Sequence, residues 1–105
     1  SAFCEGLTLA RKSQLDTTEL LAILDAGALA NPMFRGKGPQ MLADNFATSF
    51  PLKHMQKDLR LALELGQALQ VNLPTAGAAN EAFAKAVAAG DGDLDFSALL
   101  RTIDE

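Results

Sequence analysis

Apolar positions recur along the whole chain at intervals of three and four, the period of helices that bury one face, and no stretch alternates in the manner of a strand. The first helical segment runs from Ala2 to about Lys12, with Phe3, Leu7 and Ala10 on one face and Cys4 beside them. Ser1 is available as its cap, but Glu5 lies one place too late for a capping box. Asp16-Thr17-Thr18-Glu19 does form that box: the Asp16 carboxylate is placed to accept the N3 amide and Glu19 to reach back. Leu20, Ile23 and Leu24 follow at helical spacing, and Gly27 is a natural stop.

From Asn31 to Pro39 the chain is rich in turn formers. Pro32 opens a short helical turn capped by Asn31, and a second turn is expected over Gln40 to Ala43, with the intervening Gly36-Lys37-Gly38 as a loop. The longest helix starts around Ser49 or Phe50, has Pro51 in its first turn and runs to about Leu69. Its predicted buried face is Leu52, Met55, Leu59, Ala62, Gly66 and Leu69, and Gly66 is expected to permit a close contact. Pro74 opens an Ala-rich helix to Ala89, with Ala79, Ala82, Phe83, Ala86 and Val87 inward. Gly90 and the Asp91-Gly92-Asp93 turn end it, and Asp95 caps a last short helix carrying Phe96, Leu99, Leu100 and Ile103. The expected architecture is one all-α domain over residues 1–105, a compact bundle of five to six helices.

Composition narrows the function classes. A length of 105 residues and a 49% hydrophobic content suit a single core. The formal net charge of -4 argues against a general nucleic-acid or anionic-membrane surface. No apolar run approaches the roughly 18 residues of a membrane span, and no basic-then-apolar leader is present. One cysteine and one histidine leave no internal disulfide and no metal site of Cys and His spacing. An intracellular setting, cytoplasmic or organellar, is the expectation.

Candidate chemistry concentrates on the longest helix. Lys53, His54, Lys57 and Arg60 lie on one side at spacings of three and four, near the helix start, with Asp58 beside Lys57. Such an edge suits an anion, helped by the partial positive charge of the helix N-terminus. A solvated face, with Glu64 one turn beyond Arg60, accounts for the same residues. Gly36-Lys37-Gly38 lacks the spacing and the strand-turn-helix setting of a dinucleotide fingerprint, and Lys12, Lys37 and Lys85 read as surface charges. Asp91, Asp93 and Asp95 lack the spacing and terminal Glu of a calcium loop, which leaves capping and turn chemistry. Cys4 reads as a small packed hydrophobe, and Met33 and Phe34 as core or interface plugs.

Two longer stretches carry a resemblance. The run from Phe50-Pro51-Leu52-Lys53-His54 through Lys57-Asp58-Leu59-Arg60 to Leu63 is similar to the lysine-aspartate signature in the helical C-terminal domain of the β-hydroxyacid (3-hydroxyisobutyrate) dehydrogenases. Asn31-Pro32-Met33-Phe34-Arg35-Gly36-Lys37-Gly38-Pro39 resembles the branch of NADP-dependent glyoxylate and succinic semialdehyde reductases. The likeness continues through Ala79 to Phe83 and Gly92 to Ala98, so it spans the chain in order.

The resemblance implies a fold like the C-terminal domain of 6-phosphogluconate dehydrogenase. It also implies a preceding Rossmann domain that holds NADP(H), joined by a long helix whose catalytic lysine falls upstream of Ser1, roughly three turns away. On that reading no catalytic residue lies in this chain, Lys57 reaches the cofactor, Asp58 supports it and Phe50 is part of the substrate wall. The expected reaction of the whole is hydride transfer from NADPH to glyoxylate or succinic semialdehyde. The chain alone is expected to be inactive, without tight cofactor binding, and to take part in a homo-oligomer, dimer or tetramer, through apolar surface left uncovered on the first helix. The alternative is a non-catalytic dimerisation or interaction module of the same descent, since the family has relatives without the lysine.

Overall fold

Six α-helices and two short turns, one wider and one tighter, make up the regular structure of the computed structural model, which describes all residues 1–105. Helix α1 (Ala2–Lys12) turns Cys4, Leu7 and Ala10 into the core, as its period requires. Helix α2 (Thr17–Ala26) starts on the expected cap: the Asp16 carboxylate accepts from the amides of Thr18 at 2.9 Å and Glu19 at 3.1 Å. Gly27 closes it, its amide donating to the Leu24 carbonyl.

Where two turns and a loop were expected, the chain forms one continuous helix, α3 (Pro32–Leu42), with Gly36, Gly38 and Pro39 inside it. A proline in a helix interior costs about 3 kcal/mol, so tertiary contacts must compensate. Asn31 caps the Phe34 amide at 2.9 Å, and the Phe34 ring stacks on Phe3 with centroids 4.1 Å apart. Met41 is buried, and Gly38 gives up the space of a Cβ to a Leu21 methyl that would lie 2.8 Å from it. Local propensity loses here to packing on both ends of the segment.

Helix α4 (Leu52–Ala68) follows Pro51, which serves as its cap position. Its inward stripe is Leu52, Met55, Leu59, Leu63 and Gly66; Ala62 and Leu69, expected inside, are exposed. The 3.6-residue period carries the stripe to Leu63 after Leu59, and at Leu69 the chain has already left the helix. Gly66 does serve a close approach, against the returning loop: a Cβ there would lie 2.7 Å from Leu73 Cδ1 and 3.2 Å from the Val71 carbonyl oxygen. Helix α5 (Pro74–Ala86) makes its broadest contact with α4. It ends in a wide π-type turn, Val87–Asp91, broken by Gly90 at φ 97, so the helix stops before Ala89 and Val87 is exposed. A tight 3-10 turn, Phe96–Ala98, leads into α6 (Leu99–Ile103).

The core gathers Leu7, Met41, Leu52, Phe83, Leu99 and Leu100, with Cys4 among them. Burial pushes the Cys4 thiol up in pKa, which suits an inert packed group. The core is nevertheless small, with 16 of 105 residues buried and none of them in α2. The radius of gyration is 14.4 Å, above the roughly 13 Å usual at this length. Leu9, Leu15 and Leu29 stay exposed around a groove between α1 and α2 that Phe3, Leu24 and Phe34 floor. No helix is long and apolar enough to cross a membrane.

The glycines give a paired test. Gly36 is exposed within α3 and has open space around its missing Cβ. Gly36→Ala should raise the unfolding free energy by ~0.5–1 kcal/mol through reduced unfolded-state entropy. Gly66→Ala should lower it by about 1–2 kcal/mol, because the Val71 carbonyl is backbone and gives little. Urea denaturation of the two variants checks both; equal effects would mean that Gly66 holds no close contact.

Candidate functional site

The start of α4 is built by a strand-like clasp. Pro51 and Asp95 pair as an isolated antiparallel bridge, and the amides of Leu52 and Lys53 donate to the carbonyls of Leu94 at 2.8 Å and Gly92 at 2.9 Å. These bonds satisfy amides that the first turn of a helix leaves without partners. The Phe96 amide donates to the Phe50 carbonyl at 2.8 Å. The segment before α4 is thereby fixed to the segment before α6, although more than forty residues separate them in sequence.

Asp95 is the centre of the clasp, with 1% of its surface exposed. Its Oδ1 accepts from the amides of Ser49 at 3.0 Å and Phe50 at 3.1 Å. Its Oδ2 accepts from the Ser97 amide and hydroxyl, and lies 2.9 Å from the Lys37 ammonium. Burial alone would raise the Asp95 carboxyl, but the hydrogen bonds from Ser97, Lys37, Phe50 and Ser49 outweigh it and hold the group far below the usual carboxylate range. Lys37 is therefore no surface charge: its side chain is 14% exposed, and the ammonium also lies 5.3 Å from the centre of the Phe96 ring. The reversal follows from α3 being one helix, which carries Lys37 inward over Asp95 when a loop would have left it in water.

Phe50 stands at the mouth of this clasp, partly exposed. Its ring meets Phe96 edge-on at 6.4 Å and His54 at a tilt at 6.1 Å. One turn further along α4, Lys57 and Asp58 share His54's side of the helix. Phe50, His54, Lys57 and Asp58 thus lie along one edge, extended by the exposed Leu61 and Leu65.

The charges of that edge are balanced. Lys53 pairs with Asp93 at 2.5 Å, Lys57 with Asp58 at 2.9 Å, and Arg60 with Glu64 at 2.6 Å. Asp93 is held below its usual pKa by the Lys53 hydrogen bond and charge, with a smaller effect from His54. These pairs are exposed and screened by water, so an anion competes for their cations at little cost.

The sequence singled out Phe50, Lys57 and Asp58, which the structure places along one edge, and missed the Lys37–Asp95 pair behind Phe50. The available signal was the Asp95-Phe96-Ser97 capping pattern; nothing local marks Lys37 as its partner.

Fold and site together define a class: an all-helical domain that carries one charged and aromatic helix edge. The chain belongs to the family described as the NAD-binding domain of NADP-dependent 3-hydroxyisobutyrate dehydrogenase, whose model matches residues 1–103. It is 57% identical over 103 residues to glyoxylate/succinic semialdehyde reductase 1 of Arabidopsis thaliana, covering 98% of this chain and 36% of that protein. It is 43% identical over 101 residues to the human cytokine-like nuclear factor N-PAC, covering 96% of this chain and 18% of that one. Among solved structures it is similar to a 3-hydroxyisobutyrate dehydrogenase from Salmonella typhimurium, with a TM-score of 0.89 at 25% identity over 95% of this chain and 35% of the other. The 3-hydroxyisobutyrate dehydrogenase of Mycobacterium tuberculosis superposes with a TM-score of 0.84 at 27% identity, covering 99% of this chain and 38% of that one. The chain therefore spans about a third of the length of the reductase and of both dehydrogenases.

The depressed Asp95 pKa has a sign that can be checked. An unfolded Asp95 binds its proton in the usual range, about pH 4, whereas the folded one resists it. Its contribution is fully present above that range and is lost as pH falls through it toward the lower folded value. Asp95→Asn should flatten the acid limb of stability against pH, followed by chemical denaturation at several pH values; a limb as steep as that of the unsubstituted chain would remove Asp95 as its source.

Proposed function

We propose that this chain is the helical domain of an NADPH-dependent reductase of glyoxylate and succinic semialdehyde, supplying one wall of the substrate and cofactor cleft. The observation that carries the reading is the 57% identity to a glyoxylate/succinic semialdehyde reductase along nearly the whole chain, together with the intact Phe50–Asp58 edge. The opposing wall is a nucleotide-binding Rossmann domain preceding this one, and the catalytic lysine belongs to the helix that joins them.

The donor set of the edge fits a phosphate-bearing nucleotide. The Lys57 side chain is half-exposed, and its partner Asp58 is an equally exposed sequence neighbour, so the ammonium is free to turn toward an anion. Lys57 binds the cofactor, Asp58 orients the ammonium, and the Phe50 ring excludes water from one side of the aldehyde. When bound, NADPH supplies the hydride that reduces the aldehyde carbon. No residue of this chain moves the proton, so the chain alone is inactive and has no tight affinity for NADPH.

The full-length protein is the object of the test. Lys57→Ala should raise the KM for NADPH roughly tenfold, the loss of one charge-assisted contact, and leave the folded state intact. An unchanged KM would take Lys57 out of the cofactor site, and no oxidation of NADPH by either aldehyde would sink the reductase reading. The 43% identity to a nuclear factor favours the second reading, a non-catalytic interaction module, which predicts that inactive outcome.

Association of two copies through the α1–α2 groove completes the first reading. The exposed Leu9 and Leu29 at its rim support it. Leu9→Asp with Leu29→Asp should convert a homo-oligomer to monomer in sedimentation velocity; an unaltered sedimentation coefficient would place the interface elsewhere.

A further inference from the structure

We propose that Lys37, acting through Asp95, is a positioning residue for Phe50, and thereby fixes the substrate side of the cleft without touching the substrate. The proposal rests on the reading of Phe50 as substrate wall and adds the device that holds the wall in place.

The geometry makes the connection in two ways. Through the backbone, Oδ2 of Asp95 takes the Lys37 ammonium at 2.9 Å while Oδ1 of the same carboxylate takes the Ser49 and Phe50 amides. The lysine thus sets the orientation of the group that grips the Phe50 main chain, and the Phe96 amide grips the Phe50 carbonyl from the other side. Through the side chains, the same ammonium sits over the Phe96 ring, and the Phe96 ring meets the Phe50 ring edge-on. One buried cation therefore touches both supports of a ring that is itself part exposed.

Stability does not by itself require that the group beside Asp95 be charged. Removing two charges from water is costly, and well-packed apolar replacements of such pairs are often neutral or stabilising. The Ser49 and Phe50 amides also need only an acceptor, which a neutral amide oxygen supplies. What the charge adds is direction: five donors converge on one carboxylate, and the ammonium from α3 locks it between the lead-ins to α4 and to the 3-10 turn. A ring displaced by about 1 Å is enough to weaken a reactive geometry by orders of magnitude.

Lys37→Met tests this, because it keeps the length of the stem and its contact with Phe96 while removing the charge. Lys37→Arg is the conservative partner, which restores the charge. Two readouts are needed. In this chain, the amide and ring resonances of Phe50 are followed by NMR. Lys37→Met should shift and broaden them while the Leu7 and Leu99 methyl resonances of the core stay in place, and Lys37→Arg should return them toward their original positions. In the full-length protein, Lys37→Met should raise the KM for the aldehyde roughly tenfold and leave the KM for NADPH within about twofold.

Undisturbed Phe50 resonances in Lys37→Met overturn the proposal. So does a disturbed Phe50 accompanied by an unchanged aldehyde KM, and so does an equal rise of both KM values, the mark of a general structural loss. A full-length protein that reduces neither aldehyde refutes the reductase reading separately, and the NMR arm then still decides whether Lys37 holds the Phe50 segment.

Discussion

The carboxylate of Asp95 sits where α3, the approach to α4 and the 3-10 turn before α6 converge, and it accepts from all three. None of these segments is held there by apolar contact alone. The lead-in Asn45–Phe50 has no regular structure, the 3-10 turn is three residues long, and α3 carries two glycines and two prolines. A buried charge serves where side-chain packing is thin, because its bonds are directional and it cannot be left without partners. The rest of the fold hangs on the same point: the bridge from Asp95 to Pro51 sets the first turn of α4, and α4 in turn carries α5.

This arrangement separates the molecule into a packed part and an open part. Helices α4, α5 and α6 close around Leu52, Phe83, Ala86, Leu99 and Leu100, with the inner face of α1 completing the core. Helix α2 has no fully buried residue and, with the outer face of α1, leaves an apolar groove. The Phe50–Asp58 edge of α4 lies on the packed part, directly beside the clasp, so its side chains stand on backbone held by the Asp95 bonds. Rigid support below an exposed ring and an exposed ammonium is what a binding wall requires.

The edge itself is poised more by competition than by a standing field. Its cations are each matched by an exposed carboxylate, so the chain carries no free cationic stripe despite the run of Lys53, His54, Lys57 and Arg60. The exposed pairs are weak and exchange readily for an anionic ligand, whereas the Lys37–Asp95 pair, removed from water, does not. Identical residue types therefore serve two roles in one domain, and burial decides which.

The sequence by itself determined the all-helical class, because the period of three and four persists from Phe3 to Ile103. It also determined the starts of α2, α4 and α5 through Asp16, Pro51 and Pro74, and the charged edge of α4 through the spacing of Lys53, His54, Lys57 and Arg60. These are local properties, readable within one or two turns. Only the tertiary structure decided that Gly36, Gly38 and Pro39 lie within a helix, since the compensation comes from Phe3 and Leu21 on other elements. It also gave α1, α3 and α4 their manner of ending: each is followed by a left-handed residue that is not glycine, Gln14, Asp44 and Gln70, a conformation that costs about 1 kcal/mol. The pairing of Lys37 with Asp95 spans 58 positions, and no local pattern of charge states which carboxylate a lysine will meet once both have left water.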